Sequence, residues 1–180
     1  MKFKKMRNFI LLMVLTFVTF SCDAPVKQEA EMERAPGFLR AGGEQINATD
    51  ASPENLDIWD KYIDAHNNRD LELIASMNID STQMGEFRIL SPNGQLIRGS
   101  DTQIEFLKGW FEAENPTWRT YFSYSMKLEG QNGEWVISGA EVKKTVDGKE
   151  VTTYDVADVY IENGKIGAFW VYQRAAVPTE

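Results

Sequence analysis

The chain has 180 residues, of which 43% are hydrophobic and 26% are charged. It carries 27 acidic and 19 basic residues, which gives a formal net charge of −8. This size predicts one folded domain with its own core. The acidic balance argues against nucleic acid or anionic lipid headgroups as partners, because both require a positive protein surface. A single cysteine leaves no possibility of an internal disulfide bond.

The N-terminus has the pattern of an export signal. Four basic residues precede an apolar run of about 12 residues, Phe9 to Phe20, which is shorter than the roughly 20 residues that span a bilayer. The run ends at Ser21-Cys22. A small residue before a cysteine at this place resembles a bacterial lipoprotein signal, which implies that residues 1–21 are removed and that Cys22 is lipidated. Cleavage by ordinary signal peptidase is the alternative.

The segment after this signal is predicted to be a flexible tether. Residues 22–53 are rich in Ala, Glu, Gln, Gly, Pro and Asp, and they contain few large apolar side chains. Without the first 22 residues, 15 basic and 27 acidic residues remain, a net charge of −12. We therefore expect a domain over residues 54–176 that reaches the membrane of the cell envelope only through its N-terminal lipid.

Helical periodicity dominates the first half of this domain. Apolar residues from Leu56 to Met77 recur at i, i+3, i+4 and i+7 with an interruption at 67–70, which predicts helices over about 53–67 and 70–77. Residues 85–89 and 95–98 flank a Ser-Pro-Asn-Gly turn and predict a short hairpin. A third helix is predicted from Ser100 to Asn115.

The second half reads as four long strands. β-Branched and aromatic residues fill segments 118–128, 134–146, 150–161 and 165–173, and Asp-Gly and Asn-Gly turns separate the last three. Strands of this length must twist, so one face of the antiparallel sheet becomes concave. The order of elements predicts an α+β fold in which N-terminal helices pack on a curved, long-stranded antiparallel sheet.

Three segments carry a resemblance to a known group: Tyr62–Asp70, Arg98–Ile104 and Ala157–Ile166. They resemble the SnoaL-like branch of the nuclear transport factor 2-like superfamily, whose cone-shaped α+β fold encloses a pocket. That superfamily includes ketosteroid isomerase, polyketide cyclases, an epoxide hydrolase, dehydratases and members without catalysis. The resemblance therefore implies a fold and leaves the function open.

Similarity to ketosteroid isomerase implies three catalytic candidates. Tyr62 matches the position of its oxyanion-hole tyrosine, Glu86 that of its general base, and Asp158 that of its second oxyanion acid. Such a set could remove a proton next to a carbonyl and stabilise the resulting enolate. The alternative for Tyr62 is a core residue with a locally bonded hydroxyl, and for Asp158 a structural or ligand-binding polar group.

His66, the only histidine, lies one helical turn after Tyr62 on the same helix face. It is a candidate general base paired with Asp158, and the alternative is a satisfied core or rim residue. We expect no metal site, because no second histidine or cysteine could complete one. No motif for a cofactor is present, so we expect none.

The remaining aromatic residues favour either a pocket wall or a dimerising sheet face. The wall candidates are Trp59, Trp110, Tyr124 and Tyr154. Strand alternation places Tyr154 and Asp158 on one face and Asp155 on the other, and we expect the Asp158 face to be concave. Tyr62, His66 and Asp158 would then share one cavity. The function favoured by these patterns is binding of a small apolar or aromatic molecule, and an isomerase, cyclase or dehydratase is the alternative.

Overall fold

A computed structural model describes residues 35–176 of the chain. The predicted signal peptide, Cys22 and the first part of the predicted tether lie outside these residues. Three helices form within residues 35–176: α1 (Glu54–Asn67), α2 (Leu71–Met77) and α3 (Ser100–Glu114). Their bounds agree with the periodicity of the sequence to within one residue. Within the described part of the chain, no helix is long and apolar enough to cross a membrane.

Ten strands accompany the helices. They are β1 (Gly37–Ala41), β2 (Glu44–Asp50), β3 (Ser81–Thr82), β4 (Gly85–Glu86), β5 (Arg88–Leu90), β6 (Leu96–Arg98), β7 (Thr117–Leu128), β8 (Glu134–Val146), β9 (Lys149–Glu162) and β10 (Lys165–Ala175). The turns between the last three strands place Asp147 and Asn163 at φ of 51° and 54°, each followed by a glycine of positive φ. Asp-Gly and Asn-Gly suit this geometry, because these residues tolerate the left-handed conformation.

Eight of the strands form one sheet in the order β1-β2-β7-β8-β9-β10-β5-β6. The four long strands pair antiparallel, as the sequence predicted. However, β5 pairs parallel with β10, with Ile89 opposite Phe169, so the sheet is mixed. In the sequence, β5 precedes the four-stranded meander, yet it pairs with β10, which is the last strand of that meander. The α+β class predicted from the sequence is confirmed.

The predicted tether is wrong for residues 37–50. These residues form the β1–β2 hairpin, which extends the sheet through pairing of Ala48 with Leu128. Ile46 and Ala48 pack on a small apolar cluster that includes Trp135 and Tyr160. A hairpin at the edge of an existing sheet needs few large apolar side chains of its own. Low hydrophobicity therefore did not distinguish it from a tether.

The sheet carries apolar clusters on both faces. The concave face, defined here as the face that contacts the helices, bears the main core, where Ala157 and Val159 of β9 lie beneath Tyr62 and Ile74. The opposite, convex face bears the smaller cluster around Trp135, which the N-terminal hairpin partly covers. The helices do not fill the concave face completely, and the space that they leave is the candidate site.

Candidate functional site

A cavity of about 650 Å³ lies between α1, α3 and the concave face of the sheet. This volume falls within the range of roughly 300–1,000 Å³ that is usual for small-molecule sites. Small side chains on the sheet create the space, because Ser138 and Ala140 of β8 lie opposite Ala157 and Asp155 of β9. These four side chains leave a gap that the helix side chains do not reach.

Aromatic rings form much of the cavity wall. Trp59 of α1 lies 5.7 Å from Phe169 of β10, and Trp110 of α3 lies 5.4 Å from Trp118 of β7, measured between ring centroids. Both pairs meet edge to face, which is a favourable arrangement for aromatic rings. The structure therefore places two of the predicted wall residues, Trp59 and Trp110, at the cavity, and adds Trp118 and Phe169.

His66 is a buried, neutral residue of the wall. Its Nδ1 lies 2.8 Å from the carbonyl oxygen of Tyr62, and a carbonyl only accepts, so Nδ1 carries the proton. Nε2 then holds a lone pair, makes no hydrogen bond within residues 35–176 and is open to the cavity. Burial lowers the pKa of His66 to about 4, and the nearby Arg69 acts in the same direction. His66 thus offers a hydrogen-bond acceptor to a ligand.

Tyr62 also borders the cavity, but its hydroxyl is already in use. It donates to Asn78 Oδ1 at 3.0 Å and accepts from Gln103 Nε2 at 2.7 Å. Burial raises the pKa of the Tyr62 phenol above its ordinary value. Its only proton is therefore directed away from any ligand, so the structure agrees with the alternative of a core residue with a locally bonded hydroxyl. An oxyanion hole needs a free donor.

Asp155 is the acidic side chain that the sheet directs into the cavity. Gln173 Nε2 donates to its Oδ1 at 2.8 Å, and the hydroxyl of Thr153 lies 3.5 Å from the same oxygen. Burial raises the pKa of the Asp155 carboxyl, and the two hydrogen bonds and the positive charge of Lys144 partly offset this rise. It makes no ion pair with the described residues.

A second polar group lies where α3 meets the sheet. Lys144 Nζ is 2.7 Å from Glu114 Oε2, and Trp110 Nε1 donates to the same carboxylate oxygen at 2.8 Å. The ion pair with Lys144 lowers the pKa of Glu114. Both residues border the cavity. No cluster of three potential metal ligands occurs among residues 35–176.

The expectation that Asp158 faces the cavity is wrong. Asp158 lies on the convex face, beside the Tyr172 hydroxyl, and burial raises the pKa of its carboxyl there. The alternation of β9 was read correctly, but its faces were assigned the wrong way round. The helices need small side chains beneath them, so the Asp155–Ala157 face turns inward, and the bulkier face with Tyr154 and Tyr160 turns outward.

Three other candidates also lie away from the cavity. Glu86 is exposed on β4 and pairs with Arg98 at 3.4 Å. Tyr124 is 53% exposed on the convex face, and Tyr154 lies on that face beneath the Arg174 guanidinium, which is 4.3 Å from its ring centroid. The ungapped count placed Glu86 in the β3–β4 hairpin, which forms a two-stranded sheet separate from the sheet that borders the cavity.

Sequence reasoning did not assign several cavity residues to the site: Ser138, Lys144, Asp155, Phe169 and Gln173. The size of side chains on adjacent strands was the signal that could have found them. Small residues of β8 and β9 cluster on one face, and large aromatic residues cluster on the other. The face with small residues is the one that can accept a layer of helices.

No family model and no curated protein sequence matches the chain. Solved structures do match. A protein assigned as a ketosteroid isomerase from Kribbella flavida is 12% identical, with a TM-score of 0.55, over 73% of this chain and 85% of that one. A protein assigned as a SnoaL-like polyketide cyclase from Jannaschia sp. is 17% identical, with a TM-score of 0.54, over 69% and 90%.

An LEH-like epoxide hydrolase from M. tuberculosis gives a similar result, with 12% identity and a TM-score of 0.55 over 67% of this chain and 83% of that one. Identities this low establish the fold alone, and the activities of these proteins do not transfer to this chain. The chain therefore shares the α+β fold of these SnoaL-like and ketosteroid isomerase-like structures.

Proposed function

We propose that this protein is a binding protein whose cone-shaped domain holds one small apolar or aromatic molecule. The observation that carries the proposal is the cavity of about 650 Å³ between α1, α3 and the sheet. Its walls are mainly aromatic and aliphatic, and a few polar groups converge on it. This combination is typical of sites for small organic ligands.

The polar groups favour binding over isomerase chemistry. The hydroxyl of Tyr62 donates its proton to Asn78, and Asp158 lies on the convex face, so the expected enolate-stabilising pair offers no donor to a ligand in the cavity. Glu86 is exposed near Arg98. The polar groups at the cavity include an acceptor on His66 and the Asp155 carboxyl, which suit orientation of a ligand by hydrogen bonds.

A thermal-shift screen with neutral aromatic and alicyclic compounds tests this proposal. A ligand that binds only the folded state raises the melting temperature as its concentration exceeds the dissociation constant. We expect several bulky apolar compounds to stabilise the protein, and a Trp59→Ala variant to lose this response. If no such compound shifts the melting temperature at concentrations up to its solubility, the proposal is wrong.

An acid–base enzyme is the second candidate, and one observation favours it. His66 Nε2 has a free lone pair at the cavity that also contains Asp155, so a base and an acid could act on one molecule. The pKa of about 4 makes His66 a weak base, which is why binding is preferred. Turnover of a carbonyl or hydroxyl substrate that His66→Gln abolishes, with ligand affinity retained, would favour the enzyme instead.

We further propose that the protein is held at the cell envelope by a lipid on Cys22. The basic start, the apolar run and Ser21-Cys22 at the N-terminus support this. Replacing Cys22 with Ser tests the anchor. We expect the variant to leave the membrane fraction, and a variant that remains there would contradict the proposal.

The convex face is proposed to be a contact between two copies of the chain. Four exposed aromatic side chains support this, since patches of this kind often mark interfaces: Tyr121, Phe122, Tyr124 and Tyr172. Sedimentation equilibrium should give a dimer that Tyr124→Glu dissociates. Leu96→Glu, an equally exposed apolar position on β6, serves as the control and should leave the dimer intact. A monomeric wild type would contradict the proposal.

A further inference from the structure

Acidic side chains outnumber basic ones at the cavity, and this excess affects the kind of ligand that the cavity accepts. Two carboxylates and one ammonium border it: Glu114, Asp155 and Lys144. Lys144 is already paired with Glu114 at 2.7 Å. His66 is held neutral, because its pKa is about 4. By formal charge, the lining therefore has one carboxylate without a paired cation among the described residues, and that carboxylate is Asp155.

Asp155 has hydrogen bonds but no cation within ion-pair distance among the described residues. Gln173 donates to it at 2.8 Å, and Thr153 lies 3.5 Å away. A carboxylate that is partly withdrawn from water, with only the more distant charge of Lys144 to balance it, is costly. A cation supplied from outside the protein would remove part of that cost.

The aromatic walls suit the same kind of ligand. Trp59, Trp110 and Trp118 all border the cavity, and indole faces are the best aromatic partners for an organic cation. Lys144 Nζ already lies 5.9 Å from the centroid of the Trp110 ring, so this wall accepts a positive charge within the protein itself. The net charge of −8 also raises the local concentration of cations around the chain.

We propose that the ligand of this cavity is an organic amine: an apolar or aromatic body that carries a protonated nitrogen, which pairs with Asp155. This inference rests on the proposed binding function and specifies its ligand class. The apolar body packs against the rings of Trp59 and Phe169. A carboxylate ligand of the same shape is disfavoured, because it meets the charge of Asp155, and the ammonium of Lys144 at the cavity is already paired with Glu114.

Three probes of one shape test the proposal by isothermal titration calorimetry on the wild-type protein: naphthylethylamine, naphthylethanol and naphthylacetate. We expect the amine to bind tightest and the alcohol next, with the amine at least about tenfold tighter than the carboxylate, since like charges across a contact are strongly disfavoured. The preference for the amine should shrink as salt is added, because the ion pair is only partly buried.

Two variants of one strand provide the matched comparison. Asp155→Asn should reduce amine binding to the level of the alcohol and leave alcohol binding nearly unchanged. Asp158→Asn removes a carboxylate from the opposite face of β9 and should leave the order of the three probes as in wild type. The ranking in wild type is informative even if Asp155→Asn fails to fold.

The possible outcomes distinguish a failure of the amine assignment from a failure of the proposed binding function. If the alcohol binds but the amine is no better, or if the carboxylate binds as well as the amine, the amine assignment is wrong and the binding function stands. If Asp155→Asn retains the full preference for the amine, the assignment to Asp155 is wrong. If none of the three probes binds, both the amine assignment and the binding function fail.

Discussion

The Asn67 side chain and the Trp118 backbone exchange two hydrogen bonds where α1 meets β7. The Asn67 side chain donates from Nδ2 to the Trp118 carbonyl at 2.9 Å and accepts from the Trp118 backbone N–H at 2.8 Å. The pair ties the end of α1 to the start of β7. It also holds His66 against the Trp118 ring, with their ring centroids 5.6 Å apart.

We predict that Asn67→Ala lowers the free energy of unfolding by about 1–3 kcal/mol, because it leaves backbone groups of β7 without partners. Asn68→Ala, at the exposed neighbouring position, should change it by less than about 0.5 kcal/mol. Urea denaturation of the two variants measures the difference. Equal stability of both variants would show that the Asn67 contacts contribute nothing.

The buried histidine should make stability depend on pH. The pKa of His66 is about 4 in the folded protein, whereas its ordinary value of 6.5 applies to the unfolded chain. Between these two pH values the unfolded state therefore binds more protons than the folded state. The His66 contribution is therefore fully present above pH 6.5 and is lost as pH falls toward 4. The difference corresponds to at most about 3 kcal/mol.

This contribution can be isolated by comparison with His66→Asn. The variant keeps a side-chain donor but cannot take up a proton in this range. We expect the wild type to lose more stability than the variant between pH 6.5 and 4, as measured by urea denaturation at several pH values. Parallel pH profiles would contradict the burial of a neutral imidazole.

The hydroxyl of Tyr62 is predicted to serve the fold. Tyr62→Phe removes the donor of Asn78 Oδ1 and the acceptor of Gln103 Nε2 inside the core, which should cost about 1–3 kcal/mol of unfolding free energy. The affinity of the folded variant for a cavity ligand should stay close to that of wild type. Tyr124→Phe, at an exposed position, is the control for stability. A large loss of affinity with unchanged stability would instead show that the Tyr62 hydroxyl contacts the ligand.

Periodicity predicted the elements because burial repeats regularly along them. The stripe from Leu56 to Met77 defined α1 and α2, and the turns at Asp147-Gly148 and Asn163-Gly164 defined the last hairpins. Alternation along β9 defined two faces but did not decide which one meets the helices. That choice depends on side chains from β8 and β9 together, where Ser138 lies opposite Ala157. For this reason the sequence pattern predicted Asp158 on the concave face and Asp155 on the convex face, the reverse of the structure.

The N-terminal hairpin shows another limit of sequence reasoning. Its residues are stabilised by a cluster that lies far along the chain, around Leu128 and Tyr160, so its own composition gave no signal. We predict that a protein beginning at residue 51 melts at a lower temperature than one beginning at residue 35, because the buried rings of Trp135 and Tyr160 lose part of their cover. Differential scanning calorimetry makes the comparison, and identical melting temperatures would contradict it.

If the cavity between α1 and the concave face binds an apolar molecule, filling that cavity with a larger side chain should abolish binding. Ala157→Met adds a flexible side chain into the space, whereas Val156→Met places one on the opposite face of the same strand. The measurement is a fluorescence titration with the neutral dye N-phenyl-naphthylamine. The wild type and Val156→Met are predicted to bind one dye per chain, and Ala157→Met is predicted to lose binding while it remains folded by circular dichroism. Equal binding by all three proteins, or loss in Val156→Met alone, would place the ligand outside the cavity and contradict the account.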